Sequence, residues 1–436
     1  MSQETEPRQD RVHSVDVMRG FALLGILIMN IVSFGMPFAS YVNPAAMAPL
    51  GSTDGAGPNL TAWLIVQTLF EGKMRALFSM LFGTSAILML ARAEQRGAGI
   101  GAADIYYRRT LWLILFGLLH AHLIWYGDIL YAYGLVGLLL FPLRNLRAKT
   151  LIVAGAAIVL LHSLQNIGAG FGIAELKQKA EMAAGVDKPS LEQKKAVAEW
   201  GQLRDMFQPS REALEAELKA HRGGWIENLA HRAGTAALFE FTMFFQFMFL
   251  DVLGMLLLGM GLAKAGVFDA ALSYRAYAIM AAAGFVVGIP LNYWAASAWH
   301  SSGFDIPGFF SYLGSTADPG RLAVAFGYIG IVMSICKCGC LGFITATLGA
   351  VGRMALSNYL LTSIIFTFYF NGYGAGMFNR IERWRLFALV PLMWAFNLAW
   401  SSAWLRHYRF GPAEWLWRSL TYWRKQPMRL AGPCES

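Results

Sequence analysis

The sequence predicts an all-α polytopic membrane protein of about ten transmembrane helices, and three observations carry that prediction. Hydrophobic residues make up 56% of the 436 and charged residues only 14%, with a mean hydropathy of +0.45, which is too apolar for a soluble globular chain. Apolar runs of about 18 residues or more recur along the whole length, each long enough to cross a bilayer core as a helix. Lysine and arginine cluster in alternate short connections, as expected where cytoplasmic loops retain positive charge. The formal charge of +9 is explained by those loops, and no nucleic-acid motif accompanies it.

Taken in order, the expected spans lie near 15–37, 73–92, 108–126, 128–144, 148–169, 236–263, 274–298, 320–342, 354–371 and 384–405. Residues 1–14 are charged, and the apolar run behind them is a full span without a small-residue cleavage site, so it is expected to stay as the first helix. The stretch 60–72 reads as a re-entrant or interfacial piece that breaks at Gly72. Arg92, Arg96, Arg108 and Arg109 lie between the second and third spans, and Arg144, Arg147 and Lys149 between the fourth and fifth. The linker 38–59 has neither residue type. Both termini are therefore expected in the cytoplasm. Arg380, Arg383 and Arg385 fall on the opposite side and disagree, whereas the basic tail from Arg406 to Arg429 agrees.

The chain divides into a first membrane half (1–172), a polar extracytoplasmic insert (173–232), a second membrane half (233–410) and a tail (411–436). Within the insert, Ser190 stands three residues before Gln193, a capping-box spacing that opens a helix. A second helical piece follows at about 211–221. The tail mixes Trp, Tyr and Arg over 411–425, which suits an amphipathic helix at the membrane interface. Four cysteines, three of them in Cys336-Lys337-Cys338-Gly339-Cys340, make no disulfide framework and lack a matching ligand pair for a metal.

Polar groups within the spans point to function, because a charge at a helix centre costs about 2.5–3.5 kcal/mol on insertion scales. Asp16 and Arg19 are one turn apart and can pair. Asn30 follows Arg19 by eleven residues, close to three turns, on the same face and about 16 Å deeper. Snorkelling accounts equally well for Asp16 and Arg19, and Asn30 also suits interhelical packing. Glu71, Lys73 and Arg75 sit at the outer mouth of the second span as a surface or a substrate-facing cluster. Ser79 and Gly83 form a small-residue packing face. His120 and His122 point to different faces and cannot share a metal, so no metal is expected. Asp128 suits helix capping, or orientation of His120 as a general base. Glu240, Asp251, His162, Asn292, Asn358 and Asn397 are further buried polar candidates.

The segments "RVHSVDVMRGFALLGILIMNI", "FEGKMRALFSMLFG", "LLHAHLIWYGDIL", "GRMALSNYLLTS" and "GPAEWLWRSLTYW" together resemble the YeiB family of bacterial inner-membrane proteins, in order from residue 11 to about 425. The first helix is also similar to that of transmembrane acyltransferases, which include heparan-glucosaminide N-acetyltransferase and bacterial surface-sugar O-acyltransferases. The resemblance implies an acyl-CoA donor on the cytosolic side as co-substrate, with no tightly bound cofactor, and an acceptor on the far side. It implies that Arg19 meets a phosphate-rich donor and that Asn30 polarises an acyl carbonyl. The heparan-type enzymes keep a catalytic His about eleven residues beyond that Asn. Here the region reads "FASYVNPA", with Tyr41 and Asn43, and no His occurs between 14 and 119. His120, Asp128 or Glu71 would then take over that role.

The expected function is transfer of an acyl group to an extracytoplasmic, lipid or sugar acceptor, in the bacterial cytoplasmic membrane. The competing expectation is a proton-coupled transporter or flippase of a small anionic or amphipathic solute, and a third is a scaffold acting through the insert. Expected partners are membrane lipids and a small-molecule, glycan or lipid acceptor, with a homodimer allowed for and no nucleic acid.

Overall fold

The computed structural model describes residues 13–44, 57–95, 97 and 99–430. The expectations for residues 1–12, for most of the linker 38–59, for Arg96 and for the end of the tail lie outside the described residues. The first half holds α1 (His13–Gly35), α2 (Phe38–Val42), α3 (Gly57–Leu69), α4 (Lys73–Gln95), α5 (Ile100–Leu123), α6 (Leu130–Gly137), α7 (Leu140–Leu143) and α8 (Ala148–Ala184). The insert supplies α9 (Leu191–Phe207) and α10 (Arg211–Arg222). The second half holds α11 (Trp225–Ala237), a π-helical turn series over Leu238–Met248, α12 (Phe249–Lys264), α13 (Tyr274–Ser301) and α14 (Ile306–Tyr312). It continues through a short π segment to α15 (Asp318–Cys338), α16 (Gly342–Arg353), α17 (Ala355–Phe370), α18 (Arg383–Leu386), α19 (Leu389–Trp404) and α20 (Pro412–Tyr422). Among the described residues there is no strand beyond one isolated antiparallel bridge, Tyr408 with Arg429.

Seven helices among the described residues are long and apolar enough to cross a membrane, fewer than the ten spans expected. Three local causes account for the difference. Arg108 and Arg109 lower the hydropathy of α5. The expected span 128–144 breaks into α6 and α7, and α6 with eight residues reaches only about 12 Å. The apolar helix α17 has 16 residues, short of a full crossing. Gly72 adopts φ +74° between α3 and α4, so the chain does break there.

Glycine lets helices touch backbone to backbone. A Cβ on Gly83 would lie 2.1 Å from the Leu256 carbonyl oxygen and one on Gly259 would lie 1.9 Å from that of Met80, so α4 and α12 pack reciprocally. Gly20 and Gly352 do the same for α1 and α16, against the carbonyls of Leu348 and Asp16. These contacts place α1 at the centre: 72% of its best apolar window is buried, against 22% for α13. On α13 the side chains of Ile279, Val286, Val287 and Trp294 are exposed, an outward apolar face suited to lipid.

In the insert, the Ser190 side chain accepts from the Gln193 N–H while the Gln193 side chain accepts from the Ser190 N–H, the reciprocal capping box. This opens α9.

Candidate functional site

Two cavities border α1, one near each end. The first, about 190 Å³, gathers arginines from four elements: Arg19 of α1, Arg109 of α5, Arg353 at the end of α16, and Arg418 of α20. Arg19 is held by Asp16 Oδ1 at 2.8 Å and by Ser85 Oγ at 2.7 Å. This is the expected Asp16–Arg19 pair, now turned toward a cavity. The Arg109 guanidinium stacks on the Trp417 ring at 3.8 Å, and the Trp417 indole N–H donates to the Arg109 carbonyl at 2.8 Å. Arg418 lies over the Phe410 ring at 4.4 Å. The one carboxylate in the lining, Glu414, accepts from the Leu356 and Ser357 N–H groups at 2.7 and 3.1 Å and from the Ser357 hydroxyl. Burial raises its pKa, and the Ser357 bonds oppose that shift. The remaining wall is apolar, with Phe78, Phe82, Leu113 and Leu356 among its residues. A cationic rim over an apolar wall suits an amphipathic anion.

The second cavity, about 170 Å³, is lined by Asn30, Tyr41, Arg75, Asp128 and Glu240 among others. Asn30 also borders a small adjoining pocket with Thr362, Ser363 and Asn397. Glu240 Oε2 lies 2.9 Å from His122 Nε2. Tyr133 and Tyr359 line both cavities, so these two side chains form a shared wall. Beside the pair, the His120 ring sits 4.9 Å from that of Tyr359. His120 is buried, with Nδ1 2.9 Å from Asp128 Oδ1, while its Nε2 has no hydrogen-bond partner. Asp128 Oδ2 accepts from the Tyr131 N–H at 2.7 Å. Asp128 therefore both caps the first turn of α6 and orients His120.

Arg19 and Asn30 share the α1 stripe yet open into different cavities. Glu71 accepts from the Tyr41 hydroxyl. Lys73 is buried and donates to the Gln67 carbonyl, so Glu71 and Lys73 engage separate partners. Arg75 approaches Asp251 at 3.9 Å. That carboxylate belongs to a buried ion network. Arg321 contacts Asp251 Oδ2 at 3.1 Å and Asp318 Oδ1 at 3.0 Å, and His162 Nδ1 lies 2.9 Å from Asp318 Oδ2. The Arg321–Asp318 approach is an ion pair without hydrogen-bond alignment, because both atoms lack a hydrogen-bond partner.

The sequence reading did not single out Arg353, Arg418, Glu414 or Trp417 as site residues, and it read Arg109 only as a topological charge. Its sole signal was that four of these residues fall in or beside the motifs "GRMALSNY" and "GPAEWLWRS". The α20 helix, expected at the membrane interface, supplies a wall of the first cavity. The group of three potential metal-ligand side chains found among the described residues is Glu217, His221 and His231.

Fold and site together define a polytopic all-α membrane protein with two largely apolar cavities that share Tyr133 and Tyr359 in their walls. The chain is 30% identical over 429 residues to "Uncharacterized protein YeiB" of Escherichia coli, covering 98% of this chain and 99% of the relative. It is 28% identical to "Uncharacterized protein YxaH" of Bacillus subtilis, over 96% of each chain. It is also 27% identical to an "Uncharacterized 39.9 kDa protein in amylase 3'region" of Bacillus acidopullulyticus, covering 97% of this chain and 96% of the relative. Residues 262–424 match the family model described as "Protein of unknown function (DUF418)". The chain belongs to the YeiB family. No solved structure matches it.

Proposed function

We propose that this protein is a transmembrane acyltransferase of the bacterial cytoplasmic membrane, moving an acyl group from a cytosolic acyl-CoA-type donor to an extracytoplasmic lipid or sugar acceptor. The observation that carries this reading is the pair of cavities sharing Tyr133 and Tyr359. One is cationic with an apolar wall; the other holds carboxylates and an amide. In this reading Arg19, Arg109, Arg353 and Arg418 bind the phosphates of the donor. The acyl chain lies along Phe78, Phe82 and Leu113, with the thioester toward the tyrosine pair.

The acceptor hydroxyl or amine enters through the second cavity. His120, held by the bond from Nδ1–H to Asp128, takes the acceptor proton at Nε2 as the oxygen or nitrogen attacks the thioester carbonyl. The Asn30 amide donates to the carbonyl oxygen as negative charge develops. Collapse of the tetrahedral species breaks the C–S bond, and the thiolate leaves with the proton from His120. Glu240 with His122 forms a second proton acceptor on the acceptor side.

The test is the thermal stability of the detergent-purified protein with coenzyme A, acetyl-CoA and longer acyl-CoAs. Ligand at about 100 times its dissociation constant should stabilise the fold by roughly 2.7 kcal/mol, and Arg109→Ala and Arg418→Ala should erase that shift. No shift at any chain length sinks the acyl-donor reading.

The buried Arg321–Asp251–Asp318–His162 network favours a second reading, a proton-coupled transporter of an anionic solute, since intramembrane ionisable chains serve as proton relays. That reading predicts proton-linked flux in proteoliposomes with no consumption of acyl-CoA.

A further inference from the structure

We infer that Glu217, His221 and His231 form a binding site for a divalent transition metal of the zinc class, which clasps α10 to α11 beside the second cavity. The inference goes beyond the acyltransferase reading and stands independently of it. The three side chains come from two consecutive helices, Glu217 and His221 from α10 and His231 from α11, and their ligand atoms all lie within 4.8 Å of one another. On α10, Glu217 and His221 are four residues apart and so share one helix face. A tetrahedron with bonds of about 2.0 Å has edges of roughly 3.3 Å, so each ligand atom needs to move by about 1 Å or less on loading.

The histidine is already oriented as a ligand. The Asn371 amide donates to the Thr367 carbonyl at 2.9 Å, which turns its Oδ1 toward His221. That oxygen lies 2.8 Å from His221 Nδ1, so Nδ1 carries the proton and Nε2 keeps the lone pair. Asn228 donates to the same Oδ1 at 2.9 Å, and Arg232 donates to Asn228 Oδ1 at 2.9 Å. An amide chain behind a histidine is the kind of support that fixes tautomer and ring angle at metal sites. The His221 ring also stacks on Phe378, with centroids 3.9 Å apart and planes 9° from parallel.

Donor chemistry and placement agree with this assignment. Glu217 is largely buried, and its carboxylate is met by the Phe38 N–H at 2.9 Å. When an ion is bound, two imidazoles and one carboxylate supply a mixed N/O donor set of the kind zinc takes. Three protein ligands leave a fourth position for water or an acceptor oxygen. Phe38, which Glu217 contacts, lines the second cavity. The same α10 end is tied to the body by the Gly372 N–H donating to the His221 carbonyl at 2.8 Å.

The experiment titrates chelator-treated, detergent-purified full-length protein with Zn²⁺ by calorimetry and with Co²⁺ by visible absorption. One equivalent should bind, and Co²⁺ should develop the intense bands of a four-coordinate site. Glu217→Gln keeps an acceptor for the Phe38 N–H and so preserves the fold. This variant, His221→Gln and His231→Gln should each weaken binding by tenfold or more. Asn371→Ala, which touches no ligand atom of the ion, should weaken it by about 10–100-fold. Absence of stoichiometric binding to the wild type overturns the proposal. So does binding that Glu217→Gln and His231→Gln leave unchanged.

Discussion

At the scale of single residues, the His120–Asp128 pair and Asn30 carry the sharpest expectations. General acid–base residues contribute about 10²–10⁴-fold in rate, and a single donor to a developing oxyanion about 10²–10³-fold. His120→Ala and Asn30→Ala should therefore lower acyl transfer by those factors while the melting transition stays cooperative. Turnover unchanged in both variants would remove them from the chemistry. Arg321 is different, because it compensates two buried carboxylates, Asp251 and Asp318. Arg321→Met leaves Asp251 with only the 3.9 Å approach of Arg75 and Asp318 with His162, and loss of one partner from a buried pair costs about 3–5 kcal/mol. A loss of stability of that size, read by chemical or thermal unfolding in detergent, is expected. A variant as stable as the wild type would show that the carboxylates are neutral or hydrated.

At the scale of elements, the α1–α16 contact sets the position of two of the four cavity arginines. Gly20 and Gly352 allow the backbones to touch, Arg19 adjoins Gly20, and Arg353 adjoins Gly352. Gly352→Ala forces a Cβ against the Asp16 carbonyl, and overpacking of this kind costs about 1–3 kcal/mol. It should also weaken binding of an anionic ligand to the first cavity, measured by the acyl-CoA thermal shift, because both arginines move. An unchanged shift would uncouple helix spacing from the cavity. The helix α20 has a comparable role. Glu414 caps the start of α17 from outside it, and Trp417 and Arg418 close the cavity wall. Amphipathicity revealed the helix in the sequence, but a lipid interface and a docking groove ask for the same pattern of Trp and Arg, so its true neighbour was not legible.

At the scale of the whole molecule, the proposal requires the two cavities to open to opposite sides of the membrane. Met89 lines the first and Ser33 the second. With the four native cysteines replaced, Met89→Cys should react with an impermeant thiol reagent only from the cytoplasmic side, and Ser33→Cys only from the outside. Labelling of both from one side would contradict transfer across the membrane. The same measurement tests the orientation inferred from Lys and Arg in the loops.

What the sequence by itself determined is what local physics controls. Hydropathy over a span length establishes a helical membrane protein, since backbone groups in lipid must be satisfied within each segment. Spacings of one turn establish the Asp16–Arg19 pair, and a spacing of three establishes the Ser190–Gln193 cap. Tertiary structure decided everything that depends on how helices cross. It brought Arg109, Arg353 and Arg418 to Arg19, broke the expected fourth span into α6 and α7, and set Glu240 against His122. It also brought His231 of the next helix against the Glu217–His221 face of α10. Such contacts join residues from ten to several hundred positions apart, and helix crossing geometry and backbone approach at glycine select them. A periodic pattern in one segment specifies which face is buried, not which partner buries it.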